Sequence, residues 1–316
     1  MKKIKTVYQQ IRANNIKTVV LVALFPVIFT GLIFLFVWMV APLNQALETT
    51  AAVAIPTLLI CVIWSLISWA FGDSIILNAN NAILVSEQDP EYRHIFRSVE
   101  NVALAAGLPT PRVYIIQDSA LNAFATGRSP RDASIALTSG IIKKLNRLEL
   151  EGVIAHEMAH IGNRDIRLDM MIITGVGITV FVADVLWRNA MYGHYYSHSD
   201  NNNDNRANMG LILIMVALAL SVFNLLITPL LRMAISRNRE YAADATGAHI
   251  TRNPHALADA LRKITADSVV AKKNTNKSMA SIFIASPVPD RALFSDALST
   301  HPPVEKRIER LQAMSL

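Results

Sequence analysis

The 316-residue chain has a single cysteine, Cys61, so neither a disulfide framework nor a cysteine metal cluster can form. Cys61 lies in an apolar block, where it serves as a small filler. Charge is scarce too: Asp, Glu, Lys and Arg make up 17% of residues, against roughly 25% in soluble proteins. The composition disfavours disorder and a nucleic-acid-binding arm. A net charge of +6 is modest, and its basic residues gather at the ends of apolar blocks, which suits membrane orientation better than nucleic acid. There is no internal repeat. What is abundant is apolar: 52% of residues are hydrophobic and the mean hydropathy is +0.34.

That apolar content is concentrated in blocks. No charge occurs between Lys17 and Glu48, and Thr18 to Ala41 is nearly all aliphatic or aromatic, about 36 Å as a helix and enough to cross a bilayer. Thr49 to Gly72 is a second uncharged block, with Trp64 and Trp69 toward one end, and the two make a first transmembrane hairpin over 18–72. Ala207 to Leu231 is a third, interrupted only by Asn224 and Pro229. Met170 to Trp187 is ambiguous, because Asp184 lies inside it and an acid is costly at mid-membrane depth; it reads as a span or as a buried helix. The first block is longer than a signal-peptide core and ends at no small-x-small site, so an uncleaved anchor is expected. Lys2, Lys3, Lys5, Arg12 and Lys17 precede it, which puts residues 1–17 in the cytoplasm by the positive-inside rule. Ser197 to Asn208 is a polar loop rich in Asn and Asp.

Between the hairpins, residues 73–169 have mixed character. Pro90 to Ala106 has helical spacing, and Val113 to Gln117, Asn122 to Thr126 and Ser134 to Thr138 read as short strands. Then comes His156-Glu157-Met-Ala-His160. On a helix, residues i and i+4 lie on one face, so both imidazoles can reach one zinc ion. Glu157, beside the metal, can take a proton from a bound water. A chain of this composition would contain the pattern by accident roughly 0.015 times, so the main rival is a helix whose histidines are merely packed and hydrogen-bonded.

A catalytic zinc needs a third protein ligand, and a second acidic helix follows. Arg237-Asn-Arg-Glu-Tyr-Ala-Ala-Asp244 sets Glu240 and Asp244 four apart among small alanines. Glu240 can ligate zinc while Asp244 reaches the outer ring nitrogen of a ligating histidine; alone, the pattern would equally be an exposed charged face. For His156 and Glu240 to meet, the chain must cross the membrane an even number of times between them, so Met170 to Trp187 should span as well, giving a second hairpin over 170–231. The metal should lie near the membrane surface on the cytoplasmic side. His94, His194, His198, His249 and His255 have no such context.

The chain resembles the HtpX-like membrane metalloproteases of the gluzincin type. The resemblance runs over nearly the whole chain and rests on Asn122-Ala-Phe-Ala-Thr-Gly127, Leu137-Thr-Ser-Gly140, Ala155 to Ile161, Asn238 to Asp244 and Thr300-His-Pro-Pro-Val-Glu-Lys-Arg307. It implies a mostly α fold with a small β-sheet: four transmembrane helices and a cytoplasmic zinc protease domain, built from 73–169 and 233–316 and split by the second hairpin. His156, His160 and Glu240 would hold one Zn2+ per chain and Glu157 would be the general base. His301 and Arg307 would stabilise the tetrahedral intermediate and order the site, and Asn122, Ala123, Phe124 and Ala125 would form the substrate-side edge strand. The implied substrates are polypeptides, namely damaged or misassembled membrane proteins cut at the cytoplasmic face of the inner membrane during stress. The rivals are a non-catalytic zinc-binding scaffold or chaperone, against which Glu157 speaks, and a prenyl-protein processing protease, for which four spans are too few.

Overall fold

The computed structural model describes residues 7–40, 46–196, 214–225, 237–268 and 302–315. They divide into two compact units, one formed by Met1–Thr18, Phe71–Ile173 and Arg232–Leu316, the other by Val19–Ala70 and Thr174–Leu231.

The first unit contains the polar chemistry. A four-stranded mixed sheet has the order β1-β2-β4-β3, with β1 at Ile83–Val85, β2 at Arg112–Ile116, β3 at Ala123–Thr126 and β4 at Ser134–Thr138. β2 and β4 run parallel in the centre; β1 and β3 are antiparallel edges. The expected strands lie close to β2, β3 and β4. The three-residue β1 and the six-residue helix Ser139–Lys144 are too short for a periodic signal, and sequence reasoning missed both.

Around the sheet pack α3 (Arg93–Ala106), α5 (Arg147–Gly162), α8 (Arg237–Thr251), α9 (Pro254–Ser268) and α10 (Val304–Gln312), where α1, α2, α4, α6 and α7 denote Val7–Val40, Ala46–Ala79, Ser139–Lys144, Asp165–Tyr196 and Ile214–Leu225. α5 is the central element. Asn146 accepts from the Glu149 N–H and Glu149 accepts from the Asn146 N–H, each at 2.9 Å, so a capping box starts the helix. Every residue from Gly152 to Ile161 is buried, the mark of a helix enclosed on all sides. Val99, Ile135, Leu137, Val153, Ile154, Met158, Leu257 and Leu261 form the core around it, each contributing about 1.5–3 kcal/mol of transfer free energy.

Two motifs seen in the sequence turn out to fasten β3. At the end of β4, the Thr138 hydroxyl donates to Ala120 O at 2.6 Å and accepts from the Asn122 N–H at 3.0 Å. The Ser139 hydroxyl and the Gly140 N–H both donate to Asp118 O, at 3.0 and 2.9 Å. A Cβ on Gly140 would sit 2.1 Å from Ser119 O, so only glycine allows this clasp. Beyond β3, Gly127 takes φ 134°, which side chains rarely adopt.

The described part of the second unit is mostly apolar, with the Asp184–Arg188 ion pair as an exception. Among the described residues three helices are long and apolar enough to cross a membrane, with windows at Thr18–Leu35, Thr50–Ala79 and Asp165–Asn189. No more than 44% of any of these windows is buried within the protein, and Val19, Val27, Ile60, Leu66 and Phe181 point outward. Such a surface suits lipid. Inside, Phe25 and Phe29 pack edge-on against Phe223 at 5.7 and 5.4 Å, and the Trp187 indole N–H donates to the Ser221 hydroxyl at 3.0 Å. Of the block Ala207 to Leu231, residues 214–225 are helical and the rest lies outside the described residues, as does the polar loop from Ser197. The ambiguous segment is part of a single helix that starts five residues earlier than its apolar run, at Asp165, where an acid favours a helix N-terminus.

α8 crosses α5 closely because Gly247 has no side chain: a Cβ there would lie 2.9 Å from His156 N and 3.2 Å from Ala155 C, backbone atoms that cannot give way. Gly247→Ala should therefore cost about 1–3 kcal/mol through forced separation of the two helices. Thermal unfolding in detergent measures it, and an unchanged midpoint would contradict the close crossing.

Candidate metal centre

α5 carries His156, Glu157 and His160, all buried, and α8 presents Glu240 and Asp244, also buried. The i, i+4 spacing on each helix and the close crossing at Gly247 turn these side chains toward one point. His156 Nε2 and His160 Nε2 lie 3.2 Å apart, and the Glu240 carboxylate oxygens lie 3.7 and 3.6 Å from them. Tetrahedral zinc with donors at about 2.0–2.1 Å sets its ligand atoms about 3.3 Å from one another, so this triangle fits the ion.

The outer nitrogens explain why the inner ones face each other. His156 Nδ1 lies 2.9 Å from Asp244 Oδ1, and His160 Nδ1 lies 2.8 Å from Asp165 Oδ2. A carboxylate at each Nδ1 holds the proton there and leaves a lone pair on each Nε2. Two lone pairs and a carboxylate cannot converge at these distances without a cation between them. The same carboxylates act on the proton affinity of the imidazoles: burial alone would lower the histidines, but Asp244 and Glu240 outweigh it and raise His156 to about 9, and Glu240 and Asp165 likewise raise His160.

Arg307 reaches this centre from α10. It is fully buried, with Nε 2.8 Å from Asp244 Oδ2 and Nη2 2.7 Å from Asp244 Oδ1, a two-pronged pairing, and with Nη1 3.9 Å from Glu240. Burial would raise Asp244, yet Arg307 and then His156 hold it down at about 2. Glu157 is 4% exposed, and its carboxyl is raised by burial, with His156 and His160 opposing that rise. It also accepts a backbone hydrogen bond from Ala125 of β3, which ties the acid to the sheet edge.

Of the residues singled out in the sequence, His156, Glu157, His160, Glu240, Asp244 and Arg307 come together, and Asn122 to Ala125 form the start of the edge strand against α5. His301 lies outside the described residues. Sequence reasoning missed Asp165, which packs its carboxylate against His160. Five residues separate it from His160, a spacing no helix face repeats, and the chain reversal at Arg164, with φ 57°, is what brings it round.

The sequence profile of Peptidase family M48 matches residues 90–315. A "Protease HtpX homolog" of Caldanaerobacter subterraneus subsp. tengcongensis is 36% identical over 313 residues, covering 99% of each chain. The protein of the same description from Thermoanaerobacter pseudethanolicus is 39% identical over 313 residues, again 99% of each, and that of Ligilactobacillus salivarius 38% over 315 residues, covering 97% of this chain and 99% of the other. The crystal structure of S. mikatae Ste24p matches with a TM-score of 0.48 at 16% identity, covering 89% of this chain; the chain spans 62% of that protein's length.

The raised histidines set the pH behaviour. A protonated His156 stabilises the metal-free fold fully below its unfolded value of about 6.5, and that contribution is lost as pH rises toward about 9. A metal ion must displace the proton, so its apparent affinity rises over the same interval. Titration calorimetry at pH 6.5, 7.5 and 8.5 should show tightening metal binding, while the melting midpoint of the metal-free protein falls; the opposite slopes would contradict the assigned protonation.

Proposed function

The chain belongs to Peptidase family M48 and is a membrane metallopeptidase that hydrolyses peptide bonds, and from that premise we propose that it is a one-zinc endopeptidase acting on membrane or misfolded polypeptides at the cytoplasmic face. The observation that carries the zinc reading is the convergence of the His156 and His160 lone pairs with the Glu240 carboxylate at 3.2–3.7 Å. When bound there, zinc supplies Lewis acidity to a water molecule and to the scissile carbonyl.

The other steps belong to the chain. Glu157 takes the proton of the attacking water and delivers it to the departing amine, a role that its burial favours by making the carboxylate a stronger base than an exposed one. Asp244 keeps the proton of His156 on Nδ1, and Arg307 keeps Asp244 charged and oriented. His301 is assigned to the developing oxyanion on the resemblance alone.

β3 is the proposed substrate edge. The Thr138 N–H donates to Asn122 O at 3.0 Å, so Asn122, Phe124 and Thr126 direct their backbone groups toward β4, and Ala123 and Ala125 direct theirs outward. An extended peptide adding to this edge pairs with Ala123 and with the carbonyl of Ala125. Ala125 also bonds Glu157, which sets the bound peptide beside the base. The run of Lys2, Lys3, Lys5, Arg12 and Lys17 ahead of the first apolar block supports a cytoplasmic site in a multi-pass inner-membrane protein, and the expected second hairpin over 170–231 keeps both ligand helices on that side. A role in stress-related quality control of membrane proteins is proposed on the resemblance alone.

Glu157→Gln should retain zinc and lose self-cleavage and casein cleavage by about 10²–10⁴-fold in detergent. Undiminished proteolysis would remove Glu157 as the base and favour a different reading of the zinc.

A further inference from the structure

We propose that Asp165 is a positioning residue for the metal ligand His160, and that Arg239 holds it in place, so that the centre contains two histidine–aspartate–arginine relays. The proposal rests on the metallopeptidase reading and extends it to Asp165, which lies outside both sequence motifs of the site, and to Arg239, which stands in the second motif without a role assigned to it there.

The first relay is His156, Asp244 and Arg307. The second is built from a different part of the chain. Asp165 is the first residue of α6 and is 0% exposed, with Oδ2 2.8 Å from His160 Nδ1. α5 has to end for this contact to form: the Asn163 N–H caps it on Ala159 O at 3.0 Å, and Arg164 turns the chain in the left-handed region, which non-glycine residues occupy at a cost. That turn ends α5 and starts α6 at Asp165, which is what sets its carboxylate against His160.

Arg239 stands immediately before the ligand Glu240 and is itself buried. Its Nη2 lies 2.9 Å from both oxygens of Asp169, and its Nη1 lies 3.6 Å from Asp165 Oδ1. Asp165 and Asp169 are four apart on α6, so their charges share a face and repel; the guanidinium between them removes that repulsion and joins the start of α6 to α8. An ion pair serving only to fasten helices would be complete with Asp169 and Arg239. Asp165 has a further partner, the imidazole, and the pairing fixes which nitrogen of His160 is free for metal.

The two relays are not equivalent. Arg307 grips Asp244 with both prongs at 2.8 and 2.7 Å, whereas Arg239 gives its close contacts to Asp169 and stands farther from Asp165.

The test uses the full chain in detergent, stripped of metal, with zinc affinity read by competition with a chromophoric chelator and ligand geometry read from the visible bands of the Co2+-loaded protein. Asp165→Asn, which keeps the shape and removes the charge, should weaken zinc about ten- to hundredfold and displace the Co2+ bands; Arg239→Gln should weaken it about tenfold. Zinc affinity within twofold of wild type and unchanged Co2+ bands in folded Asp165→Asn would overturn the proposal, and if that variant does not fold, Arg239→Gln decides by the same measure. Glu157→Gln, run alongside, separates the two readings: proteolysis that survives in it refutes the proposed base without touching Asp165. Wild-type protein that takes up no zinc overturns both.

Discussion

Everything at the centre depends on pairing buried imidazoles with buried carboxylates. Glu157, Asp165, Glu240 and Asp244 are each at most 5% exposed, and the two buried guanidiniums do not balance them, since Arg307 grips Asp244 while Arg239 gives its close contacts to Asp169. Charges taken out of water must be matched locally or neutralised. A divalent ion on His156, His160 and Glu240 would supply positive charge there, and the same carboxylates raise both histidines above their ordinary value. Metal affinity, acid–base state and fold are thus one electrostatic problem. The apolar shell of Val153, Ile154, Met158 and Leu257 makes that problem acute by excluding water around it.

The sheet and the helix crossing solve the geometric half. Gly247 lets α8 close on α5, and the clasp of Thr138, Ser139 and Gly140 on residues 118–122 fixes where β3 starts. Because Ala125 bonds Glu157, the edge strand and the catalytic helix are set relative to each other within the same unit. Both motif glycines on this side, Gly127 and Gly140, owe their identity to backbone constraints rather than to chemistry.

Much of this was legible in the sequence where a regular period carried it. His156, His160, Glu240 and Asp244 repeat at i, i+4, so two lines of text indicated two facing helices, and the apolar blocks marked the long helices of the second unit. What could not be read depends on irregular backbone. Asp165 reaches His160 only through the turn at Arg164; Arg239 looks like any charged residue on a helix until Asp169 is found beside it; β1 and α4 are shorter than any period can resolve. The Leu137–Gly140 run could be matched to relatives, but its hydrogen bonds to Asp118 and Ala120 leave no trace in spacing.

Arg307 adds a dimension of time. The centre draws its parts from α5, α8 and α10, and the ribosome makes Asp244 long before Arg307, so a nascent chain carries both histidines and their glutamate while Asp244 still lacks its counter-charge. Completion must wait for a contact spanning 63 residues of sequence, among the slower kinds to form. Until Arg307 is in place, the carboxylate that orients His156 has no buried guanidinium to hold it.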